Sequence, residues 1–330
     1  MTETILVTGA NGFLGNHIVR MLGHRKYQVM ALVRPGSDIT ALRGLDCTIL
    51  YGQLHNVNDI ENAVQKSDYV IHCASYTNPN STNTDMYLKV NVDSTKLLVK
   101  ACEDHRIRRF VLVSTANCFT NGSRANPGNE DSGFMPWLRH SGYAYSKYLA
   151  QQYVLEKHRK EKFPAVVVAP TFLVGPNDTK PSSGALLLYA MKNKILFCPG
   201  GGKSFVDVRA AASATVNVLT LGDEGSCYLL SGANMDYKTY FRKVETFTGQ
   251  RKYLIPLPKI LGTIFRLLSG IIPAKRLRLL NAHLRMLALD NYFSNEKAKK
   301  ILQMSDTNID EALKDGVHWF TVHGYDKNKT

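Results

Sequence analysis

A tyrosine and a lysine in the segment SGYAYSKYLAQQYVLEKH have the residue types and the spacing for acid–base chemistry. Tyr143 and Lys147 are four residues apart, so both project from the same face of a helix. A tyrosine with an unperturbed pKa near ~10 transfers protons poorly at neutral pH, and a nearby ammonium lowers that pKa by favouring the phenolate. Tyr145 lacks this relation to Lys147, although it could line a pocket. Taken alone, the pair also fits an ordinary solvated helix face.

A glycine-rich segment near the N-terminus, TGANGFLG, has the composition of a turn that can approach a phosphate group. Gly9 would permit a tight turn, Gly12 would let the backbone approach a pyrophosphate, and Gly15 would let a following helix pack closely on a strand. The anion would sit at the helix N-terminus, where unpaired N–H groups and the helix dipole attract negative charge. The alternative interpretation is an ordinary turn before a helix.

The elements around this segment decide between the two interpretations. Residues 4–7 are β-branched and apolar, as in a strand buried on both faces, residues 13–22 are amphipathic, and Gln28–Val33 is a second apolar strand. A strand, a glycine-rich turn, a helix and a strand thus follow one another within about 30 residues, which is the context that a dinucleotide-binding turn requires. We therefore interpret the segment as a nucleotide-binding loop.

Strands and helices continue to alternate through residue 170. We expect further strands at 47–51, 68–73, 110–113 and 166–169, and helices at 57–65, 86–103 and 141–158. This order predicts an α/β fold with a Rossmann-type, doubly wound parallel sheet, in which ligands bind at the carboxyl ends of the strands. We expect residues 1–175, with a return segment at about 205–235, to form the dinucleotide-binding domain. Residues 176–204 and 236–330 would form a smaller, mainly helical substrate-binding region, with a loop at 199–202.

The residue that follows the second strand indicates which dinucleotide would bind. In ALVRPGSD this residue is Arg34, whereas an NAD site is expected to carry Asp or Glu there for the ribose 2′-hydroxyl. A guanidinium can grip a 2′-phosphate that a carboxylate would repel. The sequence therefore favours NADP(H) over NAD(H), with Ser37 as a second donor. The alternative is that Arg34 stacks on the adenine and the site accepts both cofactors.

The composition excludes several classes of protein. With 44% hydrophobic and 21% charged residues among 330, the chain is globular, not disordered, collagen-like or a multi-span membrane protein. The charge balance is 41 − 27 = +14, which favours an anionic partner such as a phosphorylated cofactor, an acidic membrane or a nucleic acid. No aromatic and basic module of a nucleic-acid reader is visible. Six scattered cysteines and no signal peptide predict a cytoplasmic protein without a metal site.

Together these motifs resemble those of the extended short-chain dehydrogenases/reductases, in the NAD-dependent epimerase/dehydratase superfamily. The glycine segment resembles the TGxxGxxG cofactor loop of that family. HCAS at residues 72–75 resembles the turn after the family's fourth strand, and Asn91 resembles its helix asparagine. The resemblance covers most of the chain and is strongest to the dihydroflavonol-4-reductase and 3β-hydroxysteroid dehydrogenase branch. It implies that Tyr143 and Lys147 are the catalytic pair and that Thr115 is the catalytic hydroxyl.

The resemblance also implies a set of cofactor contacts. These are Gly9, Asn11, Gly12, Phe13, Leu14, Gly15, Arg34, Ser37, Leu54, Cys73, Ala74, Ser75, Ser114, Tyr143, Lys147, Pro170 and Leu173. The sequence departs from the family pattern at three places: Gln53 replaces a common Asp, Thr115 replaces the commoner Ser, and RAAAS follows Val208. The change at Gln53 weakens the case for an adenine contact at that position. Thr115 adds a methyl group that narrows the pocket.

The implied activity is NADP(H)-dependent hydride transfer between the nicotinamide and a ketone, aldehyde or secondary alcohol on a hydrophobic substrate. Tyr143 would protonate the developing alkoxide, Thr115 would hydrogen-bond the same oxygen, and Lys147 would lower the tyrosine pKa and hold the nicotinamide ribose. The alternative is a nucleotide-sugar epimerase or dehydratase with tightly bound NAD. A third hypothesis, a non-catalytic NADP(H) sensor or RNA-binding protein, leaves the three catalytic side chains without a use.

The segment 246–289 contains eight Lys or Arg residues and no Asp or Glu, between apolar runs. Two interpretations stay open: a lid over the substrate pocket with solvated charges, or a basic amphipathic surface that associates weakly with an anionic membrane. The apolar runs are too short to span a bilayer. The resemblance also implies a homodimer, with helices 86–103 and 141–158 at the interface.

Overall fold

The structure is a computed structural model that describes residues 2–78, 81–257, 282, 284–306 and 308–326. Its strands belong to three sheets. In chain order the strands are β1 Thr4–Thr8, β2 Gln28–Val33, β3 Thr48–Tyr51, β4 Tyr69–His72, β5 Arg109–Val113, β6 Ala165–Pro170, β7 Phe172–Val174, β8 Ile195–Pro199, β9 Gly202–Asp207, β10 Cys227–Leu230, β11 Ala233–Asp236, β12 Tyr253–Leu257 and β13 Asp290–Asn291. The helices are α1 Phe13–His24, α2 Val57–Val64, α3 Thr84–Leu88, α4 Ser94–Asp104, α5 Gly142–Glu161, α6 Gly184–Lys192, α7 Val208–Leu221, α8 Tyr237–Thr248, α9 Glu296–Leu302 and α10 Ile309–Val322.

The main sheet has seven parallel strands in the order β10-β6-β5-β4-β1-β2-β3. Its central strands are continuous apolar runs, because helices cover both faces of the sheet. Helices α1 and α7 pack on the face that includes Ile5 and Val166, and α2, α4 and α5 pack on the face that includes Leu6 and Phe110. The chain crosses from one side of the sheet to the other between β1 and β4, and ligands bind at the carboxyl ends of strands at such a point. The predicted Rossmann-type doubly wound sheet is confirmed.

A smaller unit packs beside the main sheet. It contains the sheet β11-β9-β13, to which β7 also belongs through β9, and the parallel pair β12-β8. Its core lies between α6, α8 and α10, where the Phe205 ring stacks on Tyr240 at 4.6 Å and meets Phe172 edge-on at 5.4 Å. The predicted loop at 199–202 is shorter in the structure, because β8 ends at Pro199 and β9 begins at Gly202. In the described part of the region after residue 236, the short strands β12 and β13 accompany the helices α8, α9 and α10.

The predicted single helix at 86–103 is interrupted. α3 and α4 are separated by a π-helical turn at Lys89–Asp93, which inserts an extra residue into the helix. Side chains close the widened turn: Ser94 Oγ donates to Lys89 O, and Thr95 Oγ1 donates to Asn91 O. Apolar spacing does not distinguish a π turn from an α turn, so the sequence pattern gave one continuous helix.

The predicted basic segment 246–289 lies largely outside the described residues, since 258–281 and 283 are not among them. Within the described part, its residues belong to the end of α8, to β12 and to the chain before β13. None of the helices in the described part of the chain has the length and apolar character that crossing a bilayer requires.

Removal of the Phe205 ring should destabilise the fold, because the ring is buried between Phe172 and Tyr240. We expect Phe205→Ala to lower the free energy of unfolding by about 3–5 kcal/mol. Tyr51→Ala serves as the control, since that side chain is 59% exposed, and should change the free energy by about 0.5 kcal/mol or less. Urea unfolding followed by circular dichroism measures both. A loss below about 1 kcal/mol in Phe205→Ala would contradict this packing.

Candidate active site

The glycine segment forms a tight turn that packs directly on the strand-four turn. Gly9 has a φ of +66°, and a Cβ there would lie 2.6 Å from Ala74 N. A Cβ at Gly15 would overlap the carbonyl oxygen of Gly9. Helix α1 begins after Gly12 with no side-chain cap, so the N–H groups of its first turn stay available to an anion. This turn therefore fits a dinucleotide pyrophosphate.

The predicted contacts around the turn differ in what they can offer a cofactor. Phe13 and Leu14 are buried in the core, so only their backbone groups remain available. The hydroxyl of Ser114 donates to Gln151 Oε1 at 2.6 Å, which also leaves the backbone as its available part. Leu54, Cys73, Ala74, Ser75 and Leu173 are half-buried, and Pro170 is buried at the end of β6. Burial raises the pKa of the Cys73 thiol to about 12 and outweighs the opposing effect of Lys147, so the thiol is neutral.

Arg34 and Ser37 lie at a corner after β2 that is joined to the glycine turn. The Ser37 N–H donates to Arg34 O at 3.0 Å, and the Asn11 side-chain amide donates to Asp38 O at 2.8 Å. The Asp38 carboxylate accepts from Thr40 N, and the hydrogen bonds from Thr40 lower its pKa. The Asp38 carboxylate thus caps a turn. The Arg34 side chain is exposed at the same corner.

Lys180 also reaches this corner, and no pattern in the sequence indicates it. Its Nζ donates to Asp38 O at 3.2 Å from a loop that lies 142 residues further along the chain. Two cations, Arg34 and Lys180, therefore belong to the corner that follows β2. Only the folded chain brings them together, because no local pattern surrounds Lys180.

Helix α5 carries the tyrosine and lysine to the carboxyl end of β5. Ser141 caps the helix by accepting from Ala144 N, and Lys147 Nζ donates to Val113 O at 2.6 Å. The Thr115 hydroxyl lies beside the phenol of Tyr143, close enough to lower the pKa of that phenol. The structure thus brings together all three predicted catalytic side chains.

The electrostatics of the pair differ from the sequence prediction. Burial raises the pKa of Tyr143 to about 12, and the opposing hydrogen bond from Thr115 is weaker than that effect. Lys147 is buried too, and burial lowers its pKa to about 8. The prediction that Lys147 lowers the pKa of Tyr143 is wrong for this structure, because the ammonium is directed to the carbonyl of Val113 and desolvation of the phenol dominates.

Tyr145 lies on another side of the helix. Its ring is 6.3 Å from the ring of Phe134, which stacks on Tyr148 at 4.3 Å. Trp137 and Met286 are partly buried beside the same small apolar cluster. Tyr145 therefore belongs to an aromatic wall, and the geometry favours Tyr143 as the acid–base group.

Asn91 joins the strand-four turn to the catalytic helix. Its Oδ1 accepts from Tyr76 N at 2.7 Å and from Ser75 Oγ at 3.1 Å. Its Nδ2 donates to Ser146 Oγ at 2.9 Å and to Tyr76 O at 3.2 Å. Ser146 lies just before Lys147 and donates to Tyr143 O at 2.9 Å. The buried amide thus has all four hydrogen bonds that it can make, and it sets the position of α5.

A second buried chain of hydrogen bonds runs through His72, and sequence reasoning missed it. Ala74 N donates to Thr8 Oγ1 at 3.3 Å, and Thr95 Oγ1 donates to Asn91 O at 2.8 Å. Between them, His72 Nδ1 meets Thr8 Oγ1 at 2.7 Å and Nε2 meets Thr95 Oγ1 at 3.1 Å. Because Thr95 already donates to a carbonyl, it must accept from Nε2–H, and Thr8 donates to Nδ1. Burial lowers the pKa of His72 to about 3, which keeps the ring neutral.

The loop after β7 is tied to α1 by two side chains. His17 Nε2 meets Pro176 O at 2.9 Å, and Asn16 Nδ2 donates to Asn177 O at 3.3 Å. Burial lowers the pKa of His17 to about 4, so this ring is also neutral. The tie fixes the loop that follows Leu173 and β7 relative to the glycine turn. Among the described residues, no group of three or more His, Cys, Asp or Glu is placed to hold a metal ion.

Known proteins share this architecture. Residues 5–229 match the NAD dependent epimerase/dehydratase family. The chain belongs to that family. It is 27% identical over 351 residues to a putative dihydroflavonol 4-reductase of Synechocystis sp.. The alignment covers 100% of this chain and 98% of that protein. It is 26% identical over 329 residues to sterol demethylase protein B of Methylococcus capsulatus, at 97% and 99% coverage.

A solved structure extends the comparison to three dimensions. The crystal structure of gox2253 matches this chain with a TM-score of 0.86 and 26% identity, and covers 99% of this chain and 100% of that one. Family membership and this similarity confirm the predicted extended short-chain dehydrogenase/reductase assignment. As a member, the chain is an enzyme of a nicotinamide-dependent family.

Protonation of His72 should couple stability to pH. The pKa of this ring is about 3 in the fold against 6.5 when exposed, so below about pH 6.5 only the unfolded chain takes up the proton. Stability is therefore retained above pH 6.5 and is lost as the pH falls toward 3. Between about pH 6 and 5 the His72→Gln variant should lose less stability than wild type, by about 1.4 kcal/mol per pH unit.

Urea unfolding at several pH values measures this difference in slope, whatever the absolute stability of the variant. His24 is exposed, so His24→Gln should keep the wild-type slope. Equal slopes for wild type and His72→Gln would contradict a neutral buried His72.

Proposed function

We propose that this protein is an NADP(H)-dependent oxidoreductase that transfers hydride between the nicotinamide and a ketone, aldehyde or secondary alcohol on a hydrophobic substrate. The observation that carries the proposal is the placement of Thr115, Tyr143 and Lys147 together at the carboxyl end of β5. The cofactor supplies or accepts the hydride when it is bound. The chain supplies the proton and the hydrogen bonds at the substrate oxygen.

Tyr143 is in the correct protonation state for a reductase. With a pKa of about 12, its phenol carries the proton at neutral pH and can deliver it to an alkoxide. The Thr115 hydroxyl, which lies beside this phenol, is placed to donate to the same substrate oxygen. These donors act where negative charge grows in the transition state, and that is where stabilisation raises the rate. The neutral phenol of Tyr143 can therefore serve as the proton donor in carbonyl reduction.

Lys147 contributes a buried positive charge. Burial lowers its pKa to about 8, which still leaves it mostly protonated at pH 7. Its bond to Val113 O holds the ammonium at the floor of the site. From there it can donate to a cofactor hydroxyl.

Two cations support NADP(H) as the cofactor. Arg34 is exposed at the end of β2, Lys180 reaches the same corner, and the nearest carboxylate there, Asp38, is turned to Thr40. A 2′-phosphate would meet positive charge and N–H donors at this corner, whereas a ribose 2′-hydroxyl would lack the carboxylate that NAD sites supply.

The aromatic wall of Phe134, Trp137 and Tyr145 supports a hydrophobic substrate. Two relatives carry names that fit this class, a putative dihydroflavonol 4-reductase and a sterol demethylase protein B. A flat ring system would pack on such a wall while its carbonyl reaches Tyr143. We expect NADPH oxidation with aromatic ketones or steroid ketones, measured as loss of absorbance of the reduced cofactor.

One observation favours the second candidate, a nucleotide-sugar epimerase or dehydratase with tightly bound NAD. Lys203 on β9 lies over the ring of Phe172 at 5.2 Å and forms no ion pair with another described residue. Burial lowers its pKa to about 8. A diphosphate could pair with this ammonium. Turnover of UDP-sugars without net NADPH oxidation would decide for this candidate.

Arg34→Glu should weaken NADPH binding by roughly tenfold or more, because a charge-assisted hydrogen bond is lost and a repulsion is added. NADH affinity should change much less. Lys66→Glu makes the same charge change at another exposed position and is the control. Fluorescence titration with both cofactors at equal salt measures the effect. Wild-type protein that binds NADH as tightly as NADPH would contradict the role of Arg34.

Tyr143→Phe should abolish turnover and leave NADPH affinity nearly unchanged, because only the proton donor is removed. Thr115→Val should lower kcat by roughly 10²-fold, the effect of losing one hydrogen-bond donor to an oxyanion. Tyr145→Phe is the matched control and should keep most of the activity. If Tyr143→Phe stays active and Tyr145→Phe does not, Tyr145 is the acid–base group and the assignment of Tyr143 is wrong.

A further inference from the structure

The β8–β12 ribbon exposes four large apolar side chains on one face. Ile195 and Phe197 on β8 are 55% and 54% exposed, and Tyr253 and Ile255 on β12 are 58% and 43% exposed. The strand register pairs Tyr253 with Ile195 and Ile255 with Phe197. The four side chains therefore form one contiguous apolar square, which we call the ribbon face.

The ribbon cannot turn this face inward. The alternate residues Leu196 and Cys198 are buried in the core of the smaller unit. Lys252 fixes the start of β12, because its Nζ donates to Met191 O at 2.9 Å and to Asn193 O at 3.1 Å, at the end of α6. A sheet with one buried face usually carries polar residues on the other. Here both faces are apolar, so the outer one requires an explanation.

The border of the ribbon face is positively charged. Residues 192–199 and 250–257 contain four Lys or Arg residues and no Asp or Glu. Lys194 and Arg251 are exposed beside the face, and the Arg251 guanidinium lies 5.8 Å from the centre of the Tyr253 ring. The nearby carboxylate of Glu245 is already bonded by Arg242 and by Lys252 N. An apolar centre with a basic border is complementary to a bilayer that carries anionic headgroups.

We propose that the ribbon face docks on membranes containing anionic lipids. The side chains of Ile195, Phe197, Tyr253 and Ile255 enter the boundary between headgroups and acyl chains, and Lys194 and Arg251 contact the phosphates. Aromatic residues such as Phe197 and Tyr253 suit this boundary, and basic residues at its edge add electrostatic attraction. The contact is peripheral, consistent with the absence of a membrane-spanning helix among the described residues.

A lipid surface fits this face better than a protein partner does. A stable protein interface buries roughly 800 Å² on each partner, and four half-exposed side chains supply only part of that area. The net charge of +14 adds long-range attraction to an anionic surface, and the basic border of Lys194 and Arg251 opposes the pairing of two ribbon faces. This inference does not depend on the chemistry proposed for the active site.

Vesicle co-sedimentation of the full chain tests the apolar part of the proposal. The probes are phosphatidylcholine vesicles with and without phosphatidylglycerol. The Phe197→Ser and Tyr253→Ser double variant should bind the anionic vesicles roughly tenfold more weakly than wild type. Tyr51→Ser with Val322→Ser removes side chains of similar exposure, 59% and 65%, on other elements and should bind as wild type does.

The basic border is tested in the same assay. Lys194→Gln with Arg251→Gln should weaken binding to anionic vesicles roughly tenfold, since each basic residue near the surface contributes attraction. Lys66→Gln with Lys300→Gln removes two exposed charges elsewhere and is the control. Wild-type binding should fall as salt rises, and binding to pure phosphatidylcholine should be weak.

Three outcomes would overturn the proposal. The first is wild-type protein that stays in the supernatant with anionic vesicles, and the second is equal loss of binding in the ribbon variants and their controls. The third is sedimentation equilibrium that finds a dimer which the Phe197→Ser and Tyr253→Ser variant dissociates, because a second copy would then cover the face. Thermal unfolding confirms that each variant is folded. NADPH oxidation with a water-soluble ketone should be unchanged in the ribbon variants, so failure here is distinct from failure of the proposed activity.

Discussion

The buried side chain of Asn91 connects the parts of the site that must keep a fixed distance. Its amide bonds the turn after β4 on one side and Ser146 of the catalytic helix on the other. A buried amide that loses these partners leaves several polar groups unsatisfied, at a cost of about 1–3 kcal/mol each. The π turn is what places Asn91 here, and its widened backbone is closed by Thr95, which also ends the chain of hydrogen bonds through His72. The glycine turn and the catalytic helix are therefore two ends of one polar network.

Burial and charge compete at Tyr143, and burial is the larger effect. The sequence alone suggested that an ammonium four residues away would make the phenol more acidic. In the folded protein, the phenol loses solvent and Lys147 is directed to a backbone carbonyl, so the pKa of Tyr143 rises to about 12. A neutral phenol suits proton delivery to an alkoxide, whereas alcohol oxidation requires the phenolate. The same interior keeps His72 and His17 neutral, because no described carboxylate bonds either ring.

The sequence predicted the features that depend on local spacing and missed those that depend on distant contacts. The bounds of β2 and the place of the glycine turn follow from apolar runs and three regularly spaced glycines, and the structure has both. The hydrogen bonds of His72 join residues of β1, β4 and α4, so no local pattern signals them. Lys180 is equally invisible in sequence, because it meets the Arg34 corner across 142 positions. The π turn escaped prediction because the apolar residues around it keep helical spacing.

The central claim is that the protein transfers hydride from NADPH to a ketone. It is tested most directly by following an isotopic label from the cofactor into the product. Purified protein would be incubated with NADPH deuterated at C4 of the nicotinamide and with aromatic or steroid ketones, and the products would be analysed by mass spectrometry. A reductase that uses Tyr143 as proton donor should place one deuterium on the carbinol carbon and form one NADP⁺ for each alcohol. The contrary result would be no deuterium in any alcohol and no net cofactor oxidation, together with conversion of a UDP-sugar to its epimer.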